Sequence, residues 1–192
     1  MFTGKIVLGS SSPRRKQLVE ALGLQCVVRK KEVEEEYPED LDPYKVPEFL
    51  STLKAKPLIE DLKEDEILLT SDTVVIMNKE IRHKPKNRDE AISMLLELSG
   101  NANDVVTGVS LTSHRKAVVF SSVTTVYFNK LRMEDIEYYV DTFKPYDKAG
   151  AYGIQEWIGQ IGVQKIEGCF YNVMGLPVQQ VWEHLHDPDF ST

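Results

Sequence analysis

The apolar positions of the chain form short uncharged runs that alternate with segments of helical periodicity. The first run, Ile6 to Leu8, predicts a strand over Lys5 to Leu8. Ser12 followed by Pro13 is a favourable N-cap and first helical residue, so a helix is predicted from there to about Leu22. The N-terminal stretch therefore predicts a strand, a short loop and the N-terminus of a helix.

Later segments continue this alternation and then add a hairpin. Helices are predicted from Val46 to about Leu62, from Asn87 or Arg88 to Gly100, from Met133 to about Phe143, and from Pro177 onward. Strands are predicted over Ile67–Met77 (one strand or a pair), Val105–Thr112 and Ala117–Phe128. The last two are rich in β-branched residues and favour a hairpin. Together the elements predict a mixed α/β (α+β) fold, with a central mixed β-sheet flanked by helices.

Length and composition bound the organisation of the chain. Its 192 residues, 42% apolar and 28% charged, suit a single domain over residues 1–192, which can comprise two lobes. No run of about 18 uncharged apolar residues occurs, so we expect no membrane partner and a cytoplasmic location. Cys26 and Cys169 are far apart and in no CxxC pair, which predicts buried, unpaired thiols rather than a disulfide or a thiolate zinc site.

The net charge of −7 excludes broad contact with nucleic acid, which needs a basic face. An anion that binds this chain must meet positive charge concentrated locally. Three basic clusters occur: Arg14, Arg15 and Lys16; Lys54 and Lys56; and Lys79, Arg82, Lys84, Lys86 and Arg88. Each could be solvated surface or part of an anion site.

The first cluster lies in the stretch LGSSSPRRKQ, at the predicted helix N-terminus. The free N–H groups and positive dipole end of a helix favour anions, whereas cations there are locally unfavourable. A bound phosphate would offset the cost of placing Arg14 and Arg15 in the first turn. The alternative is that both arginines point into water.

Three further charged features are candidates for chemistry, although Lys84 alone could be an ordinary surface lysine. Asp72 is the only acid in the apolar run LLTSDTVV, so it is either a functional carboxylate at a strand end or the cap of a turn. Lys84 precedes Pro85, which favours an extended conformation that directs its ammonium group away from the chain. Residues 32–40 hold six carboxylates, typical of a solvated loop but also suited to a hard divalent cation.

Several motifs occur across the chain in a fixed order. They are LGSSSPRRKQLVEALGL from residue 8, SDTVV from 71, KP at 84–85, LSG at 98–100, TG at 107–108, YDKAGAYGIQ at 146–155 and EGCFYNVMGLP at 167–177. In this order and spacing the chain resembles the Maf-like nucleoside triphosphate pyrophosphatases. The YGIQ and NVMGLP segments are similar to the branch that acts on dTTP and UTP.

The resemblance implies a Maf/inosine-triphosphatase-like fold with a nucleotide cleft, and a possible homodimer. It implies hydrolysis of a nucleoside triphosphate between the α and β phosphates, with a divalent cation, Mg²⁺ or Mn²⁺, as cofactor. The matching residues are Asp72, Lys84 and Lys54 as catalytic groups; Ser10, Arg14, Arg15, Thr73 and Gln155 as substrate-binding groups; and Glu35 with Asp72 as metal ligands. Of these, Arg14, Thr73 and Gln155 match positions associated with substrate choice. The acidic neighbours Glu34 and Glu36 leave the register of Glu35 open.

The chain departs from the family pattern at two positions. Asn103 stands where many relatives have His, and His83 stands where Gly often precedes the KP pair. A glycine there could allow a positive φ or a close backbone approach, so the sequence alone leaves the geometry of the loop at His83 open.

Two other functions stay open at this point. The chain could be a nucleotide-binding regulator of cell division in which turnover is incidental, or a pyrophosphatase for modified purine triphosphates. The pairing of Asp72 with Lys84 in one sequence favours an enzyme.

Overall fold

The computed structural model describes residues 4–187 and 190. In it the chain divides into two compact units. The first unit comprises Met1–Asp72, Thr107–Ser122 and Gly175–Thr192, as far as these are described. The second comprises Thr73–Val106 and Val123–Met174.

The described residues form seven strands, seven helices and one short 3₁₀ turn, Ala149–Ala151. The strands are β1 (Lys5–Leu8), β2 (Cys26–Val28), β3 (Glu66–Met77), β4 (Glu80–Arg82), β5 (Ala102–Thr112), β6 (Ala117–Phe128) and β7 (Val163–Glu167). The helices are α1 (Pro13–Ala21), α2 (Val46–Ile59), α3 (Arg88–Leu98), α4 (Met133–Phe143), α5 (Trp157–Gly162), α6 (Phe170–Val173) and α7 (Val178–Leu185).

The strands form one mixed sheet, as the sequence predicted. Their order is β2-β1-β3-β5-β6-β7, and β4 pairs with β3. Strand β1 is parallel to both β2 and β3, whereas the pairs β3–β4 and β6–β7 are antiparallel. The predicted fold class, a central mixed sheet flanked by helices, is confirmed.

In the first unit α2 packs against the parallel strands. Val7 of β1 and Leu68 of β3 meet Ala55 and Leu58 of the helix in a buried apolar cluster. The register pairs Leu8 with Leu69, which aligns the end of β1 with the middle of β3. On β3 polar residues follow Leu69: Thr70 and Ser71 are fully buried, and the Asp72 side chain is 13% exposed.

In the second unit the core lies among α3, α4 and the strands of that unit. Leu95, Leu98, Ile136 and Val140 are each at most 1% exposed, and Tyr139 of α4 is fully buried with them. A tyrosine in this position needs a polar partner for its hydroxyl group.

Several predicted boundaries are confirmed, and others shift. The bounds of β1, β6 and α4 and the start of α1 are as predicted, with Ser12 as N-cap. Helix α2 ends at Ile59 rather than about Leu62, because residues 60–62 form a turn. Strand β3 is one continuous strand of 12 residues, so the alternative of a strand pair is wrong.

Short elements were not predicted. Strand β2 has three residues, of which Val27 and Val28 are more than 45% exposed, and it exists through its pairing with β1. Such a strand has no alternating pattern for a sequence to display. Both cysteines are unpaired, as predicted, but Cys26 and Cys169 are only partly buried.

Within the described residues, no helix is both long and apolar enough to cross a bilayer. Helix α2, with 14 residues, would span only about 21 Å, against about 30 Å of hydrocarbon.

Candidate active site

The site begins where β1 ends and its neighbour β3 continues. The Gly9 N–H donates to the Leu69 carbonyl at 2.8 Å, which is the last contact of this ladder. A Cβ on Gly9 would lie 2.5 Å from Thr70 Cγ2, so only glycine allows the loop to turn this close to β3. Beyond this point the β1 side of β3 is open to another partner.

Arg15 of α1 occupies that open edge. The Ser71 carbonyl points to the same side of β3 as the Leu69 carbonyl, and Arg15 Nη1 donates to it at 2.9 Å. Nη1 also donates to Ser10 Oγ at 3.3 Å, and Arg15 Nε donates to the Gly175 carbonyl at 2.9 Å. The guanidinium group thus fastens three chain segments of the first unit, one of which directly precedes Asp72.

The N-terminus of α1 is capped by its own loop. Ser12 Oγ accepts from the Arg15 N–H at 3.4 Å, and Ser10 Oγ accepts from the Ser12 N–H at 3.2 Å. Burial lowers the pKa of Arg15; the negative charge of Asp72 opposes this effect, Arg14 adds to it, and Glu35 opposes it. These four charged groups therefore lie in one electrostatic neighbourhood.

Lys54, on α2, joins the two predicted acidic residues. Its ammonium nitrogen is 2.6 Å from Asp72 Oδ1 and 3.0 Å from Glu35 Oε2. The side chains of Lys54 and Asp72 are only 16% and 13% exposed, whereas Glu35 is 53% exposed. Such charge-assisted contacts in a partly dry setting fix the direction of the carboxylate.

Asp72 is a mid-strand residue rather than a turn cap. It lies inside β3, which continues to Met77, and its partner is the Lys54 ammonium group. Asp72 Oδ2 makes no hydrogen bond within the described part of the chain. Both positions considered from the sequence are wrong: no turn follows Asp72, and β3 continues five residues beyond it, so the carboxylate lies inside the strand rather than at its end.

One of the three neighbouring carboxylates in the acidic loop lies beside Lys54. Glu35 contacts Lys54, while neither Glu34 nor Glu36 forms an ion pair with another described residue. Of the three neighbouring carboxylates, Glu35 is the one beside Asp72.

A divalent cation is what the family suggests, and the donor set is compatible with one. The described residues hold no group of three or more His, Cys, Asp or Glu side chains placed so that they could hold a metal ion. Mg²⁺, however, commonly takes one or two carboxylates, with phosphate oxygens and waters as its other ligands. Glu35 and Asp72, held on one ammonium group, fit that pattern.

The remaining predicted residues belong to the second unit. Thr73 follows Asp72 in β3 and Gln155 lies in the turn before α5; both are partly buried. Lys84 is exposed in the loop after β4 and forms no ion pair with a described residue. The Gly150 N–H donates to the His83 carbonyl at 3.2 Å, which ties the loop of Lys84 to the segment that leads to Gln155.

Both departures from the family pattern have a local explanation. His83 does not have a positive φ, so the loop does not need a glycine there. Asn103 is buried: its Nδ2 donates to the Val126 carbonyl at 3.2 Å, and its Oδ1 accepts from the Tyr152 hydroxyl at 2.9 Å. An amide supplies both the donor and the acceptor that this position requires.

Sequence reasoning missed two polar arrangements. The carbonyls of Ser71 and Gly175, which hold Arg15, leave no signal in side-chain patterns. A buried group formed by Tyr139, Lys148 and Glu156 in the second unit was also missed. The only signal for the latter was a tyrosine on the apolar face of a predicted helix.

Comparison with known sequences gives consistent results over nearly the whole chain. The family model described as "Maf-like protein" matches residues 5–187. A protein of Parabacteroides distasonis named dTTP/UTP pyrophosphatase is 47% identical over 182 residues, which cover 94% of each chain. A protein of Porphyromonas gingivalis with the same name is 46% identical over 186 residues, covering 95% of this chain and 94% of its own.

A solved structure shares the fold at much lower identity. The Ham1 protein of Staphylococcus aureus superposes with a TM-score of 0.50 at 16% identity, covering 94% of this chain and 98% of its own. At this identity the likeness concerns the fold alone.

Proposed function

Because the chain belongs to the Maf-like protein family, we propose that it hydrolyses nucleoside triphosphates between the α and β phosphates, with dTTP and UTP preferred. The products are the nucleoside monophosphate and pyrophosphate. The name shared by its near relatives supports the choice of substrate.

The observation that carries the proposal is the contact of Lys54 with both Asp72 and Glu35. A largely desolvated lysine between two carboxylates, 16% exposed as Lys54 is, is costly, and an inert surface cluster would gain little from it. The arrangement is useful where a triphosphate brings negative charge and where a carboxylate must keep one orientation.

In the proposed reaction a water oxygen attacks the α phosphorus. The bond from that phosphorus to the bridging oxygen breaks, and pyrophosphate departs with the bond's electron pair. Asp72, oriented by Lys54 through Oδ1, accepts the water's proton at Oδ2. Arg14 and the lysines stabilise the growing charge on the phosphates.

Asp72 and Glu35 would hold the divalent cation, Mg²⁺ or Mn²⁺, in this proposal. When bound, it supplies neutralisation of the triphosphate charge. Arg15 contributes by holding the backbone of Ser71, next to Asp72. A direct contact of Arg15 or Ser10 with phosphate stays a prediction.

Pyrophosphate release from a panel of UTP, dTTP, CTP, ATP, GTP and modified purine triphosphates, with Mg²⁺, tests the proposal. We expect UTP and dTTP to give the highest kcat/KM. Nucleotide binding without turnover would favour the regulator, and a preference for modified purines would favour the other enzyme.

In the same panel we expect Gln155→Glu to lose UTP and dTTP turnover selectively. The Gln155 amide can both donate and accept, as the adjacent carbonyl and N–H of a uracil or thymine edge require, and a carboxylate loses the donor. A site that pairs a polar edge can discriminate by up to about 10⁴-fold. Gln160→Glu, an exposed change in the same unit, is the matched control. An equal loss on all nucleotides would show that Gln155 does not read the base.

We expect Arg14→Ala and Lys84→Ala each to lower kcat/KM about tenfold or more, since each removes a cation proposed to neutralise phosphate. Rising salt should weaken the wild-type enzyme as well. The controls are Lys16→Ala and Lys86→Ala, which remove exposed charges two residues away. Unchanged kcat/KM in both test variants would show that Arg14 and Lys84 are surface residues that do not act on phosphate.

Two properties of the whole protein stay predictions. Association into a homodimer is measurable by light scattering coupled to gel filtration. A cytoplasmic location is measurable by cell fractionation.

A further inference from the structure

A buried polar group in the second unit has no part in the proposed chemistry. The Tyr139 hydroxyl donates to Glu156 Oε2, and the Lys148 ammonium nitrogen is 3.0 Å from Glu156 Oε1. Tyr139 is fully buried, the Lys148 side chain is 8% exposed and the Glu156 side chain is 21% exposed. Burying charged and hydroxyl groups is costly unless they are paired or hydrogen-bonded, and here each has a partner within the group.

What the group fixes is the backbone of one turn. The Gly153 N–H donates to the Tyr139 oxygen at 3.1 Å, and the Glu156 N–H donates to the Gly153 carbonyl at 2.9 Å. The turn from Gly153 to Glu156 is therefore held at its first residue by Tyr139 and at its last by the Glu156 side chain. Gln155 lies inside it.

The use of Glu156 is unusual for its position in the chain. Glu156 is the N-cap of α5, where a carboxylate could accept from the free N–H groups of the first turn, yet it makes no side-chain cap bond. Its Oε2 instead accepts from the Tyr139 hydroxyl group, and its Oε1 forms an ion pair with Lys148, whose ammonium group also contacts Asp147 at 2.7 Å. The Glu156 carboxylate therefore does not cap α5 but makes contacts that orient the turn before it.

The packing at Gly153 leads to the same conclusion. A Cβ on this residue would lie 2.9 Å from Glu156 Cδ and 3.1 Å from Lys148 Cε. The side chains of Glu156 and Lys148 thus cover the backbone of Gly153 directly, and a larger residue would displace them.

The pKa of the Tyr139 hydroxyl group is raised above its usual value, so the group is protonated at neutral pH. Burial raises its pKa most, and the hydrogen bond to Glu156 raises it further. The oxygen can therefore accept from Gly153 while its proton is donated to Glu156, as the geometry requires.

We propose that Tyr139, Lys148 and Glu156 are positioning residues that hold Gln155 in the orientation needed to read the pyrimidine base, and so determine substrate preference. This inference rests on the proposed function. It adds that preference depends on a buried network of residues in addition to the residue that reads the base.

The test variant is Tyr139→Phe, which removes one oxygen atom and keeps the aromatic packing. The Gly153 N–H loses its acceptor and Glu156 Oε2 loses its donor. Glu156→Gln is the second variant, since its amide keeps one acceptor for Tyr139, and Glu156→Ala keeps none. The matched control is Tyr127→Phe, which removes an exposed hydrogen bond to Glu167 in the same unit.

Two readouts are measured for each variant. The first is kcat/KM for UTP and for GTP, and we expect Tyr139→Phe to lower the ratio of the two about tenfold, mainly through KM for UTP. The loss should be larger in Glu156→Ala than in Glu156→Gln. The second is amide hydrogen exchange of residues 150–157, which should be faster in Tyr139→Phe and unchanged in Tyr127→Phe.

The outcomes separate this inference from the proposed function. A wild type that prefers UTP, with variants that lose UTP and GTP turnover equally or keep wild-type exchange, overturns the inference alone. A wild type without pyrimidine preference overturns both. If Tyr139→Phe does not fold, the comparison of Glu156→Gln with Glu156→Ala decides by the same criteria.

Discussion

Asp72→Asn is expected to lower turnover by about 10²- to 10⁴-fold, the usual contribution of a general base. An asparagine keeps the size of the side chain, and its amide oxygen can still accept from Lys54, but it cannot take a proton from water. Because the residue is 13% exposed and its contact with Lys54 can persist, the fold and the position of β3 should be retained. Steady-state pyrophosphate release measures turnover, calorimetry measures nucleotide affinity, and thermal melting measures the stability of the fold.

The control for this prediction is Asp65→Asn. Asp65 is in the same unit, is exposed, and forms a loose 3.8 Å ion pair with Lys5, so its loss should leave turnover unchanged. If Asp72→Asn keeps more than about a tenth of the wild-type rate, Asp72 is not the main base. If it loses nucleotide affinity to the same degree as turnover, its role is binding rather than proton transfer.

Much of the fold could be predicted because the residues that determine many helix and strand positions lie within those elements or directly beside them. The start of α1 was predictable from Ser12 and Pro13, since an N-cap and a first-turn proline act within a few residues. Strand β6 was predictable from its β-branched residues. The short strand β2 depends on a neighbour that is distant in sequence, and three residues hold no periodic signal.

The candidate site was predictable as a set of residues but not as an arrangement. A single charged residue in an apolar run can be recognised from the sequence, as Asp72 in β3 could. The two roles of Arg14 and Arg15 could not be separated, because adjacent arginines are equivalent in sequence. What distinguishes Arg15 is its hydrogen bond to the Ser71 carbonyl. That carbonyl has no partner in β1, because β1 ends where β3 continues.

The structure gives Lys54 a more specific position than the basic cluster of Lys54 and Lys56 suggested. Its ammonium group lies on Asp72 and Glu35, whereas Lys56 is exposed on the same helix. Lys54 can therefore act on catalysis by orienting Asp72, in addition to any attraction for phosphate. These two roles predict different kinetics, since orientation affects kcat and attraction affects KM.

Lys54→Met is expected to lower kcat by about 10²- to 10³-fold, as loss of a preorganised charge in an active site typically does. Methionine approximates the length of the lysine stem, so packing on α2 is kept while the contact to Asp72 is lost. Lys56→Met, the same change on the same helix, should leave kcat unchanged. If Lys54 acts through Asp72, the double variant with Asp72→Asn should be little slower than Asp72→Asn alone. Additive losses in that cycle, or an effect confined to KM, would contradict the orienting role and leave Lys54 as a phosphate-binding residue.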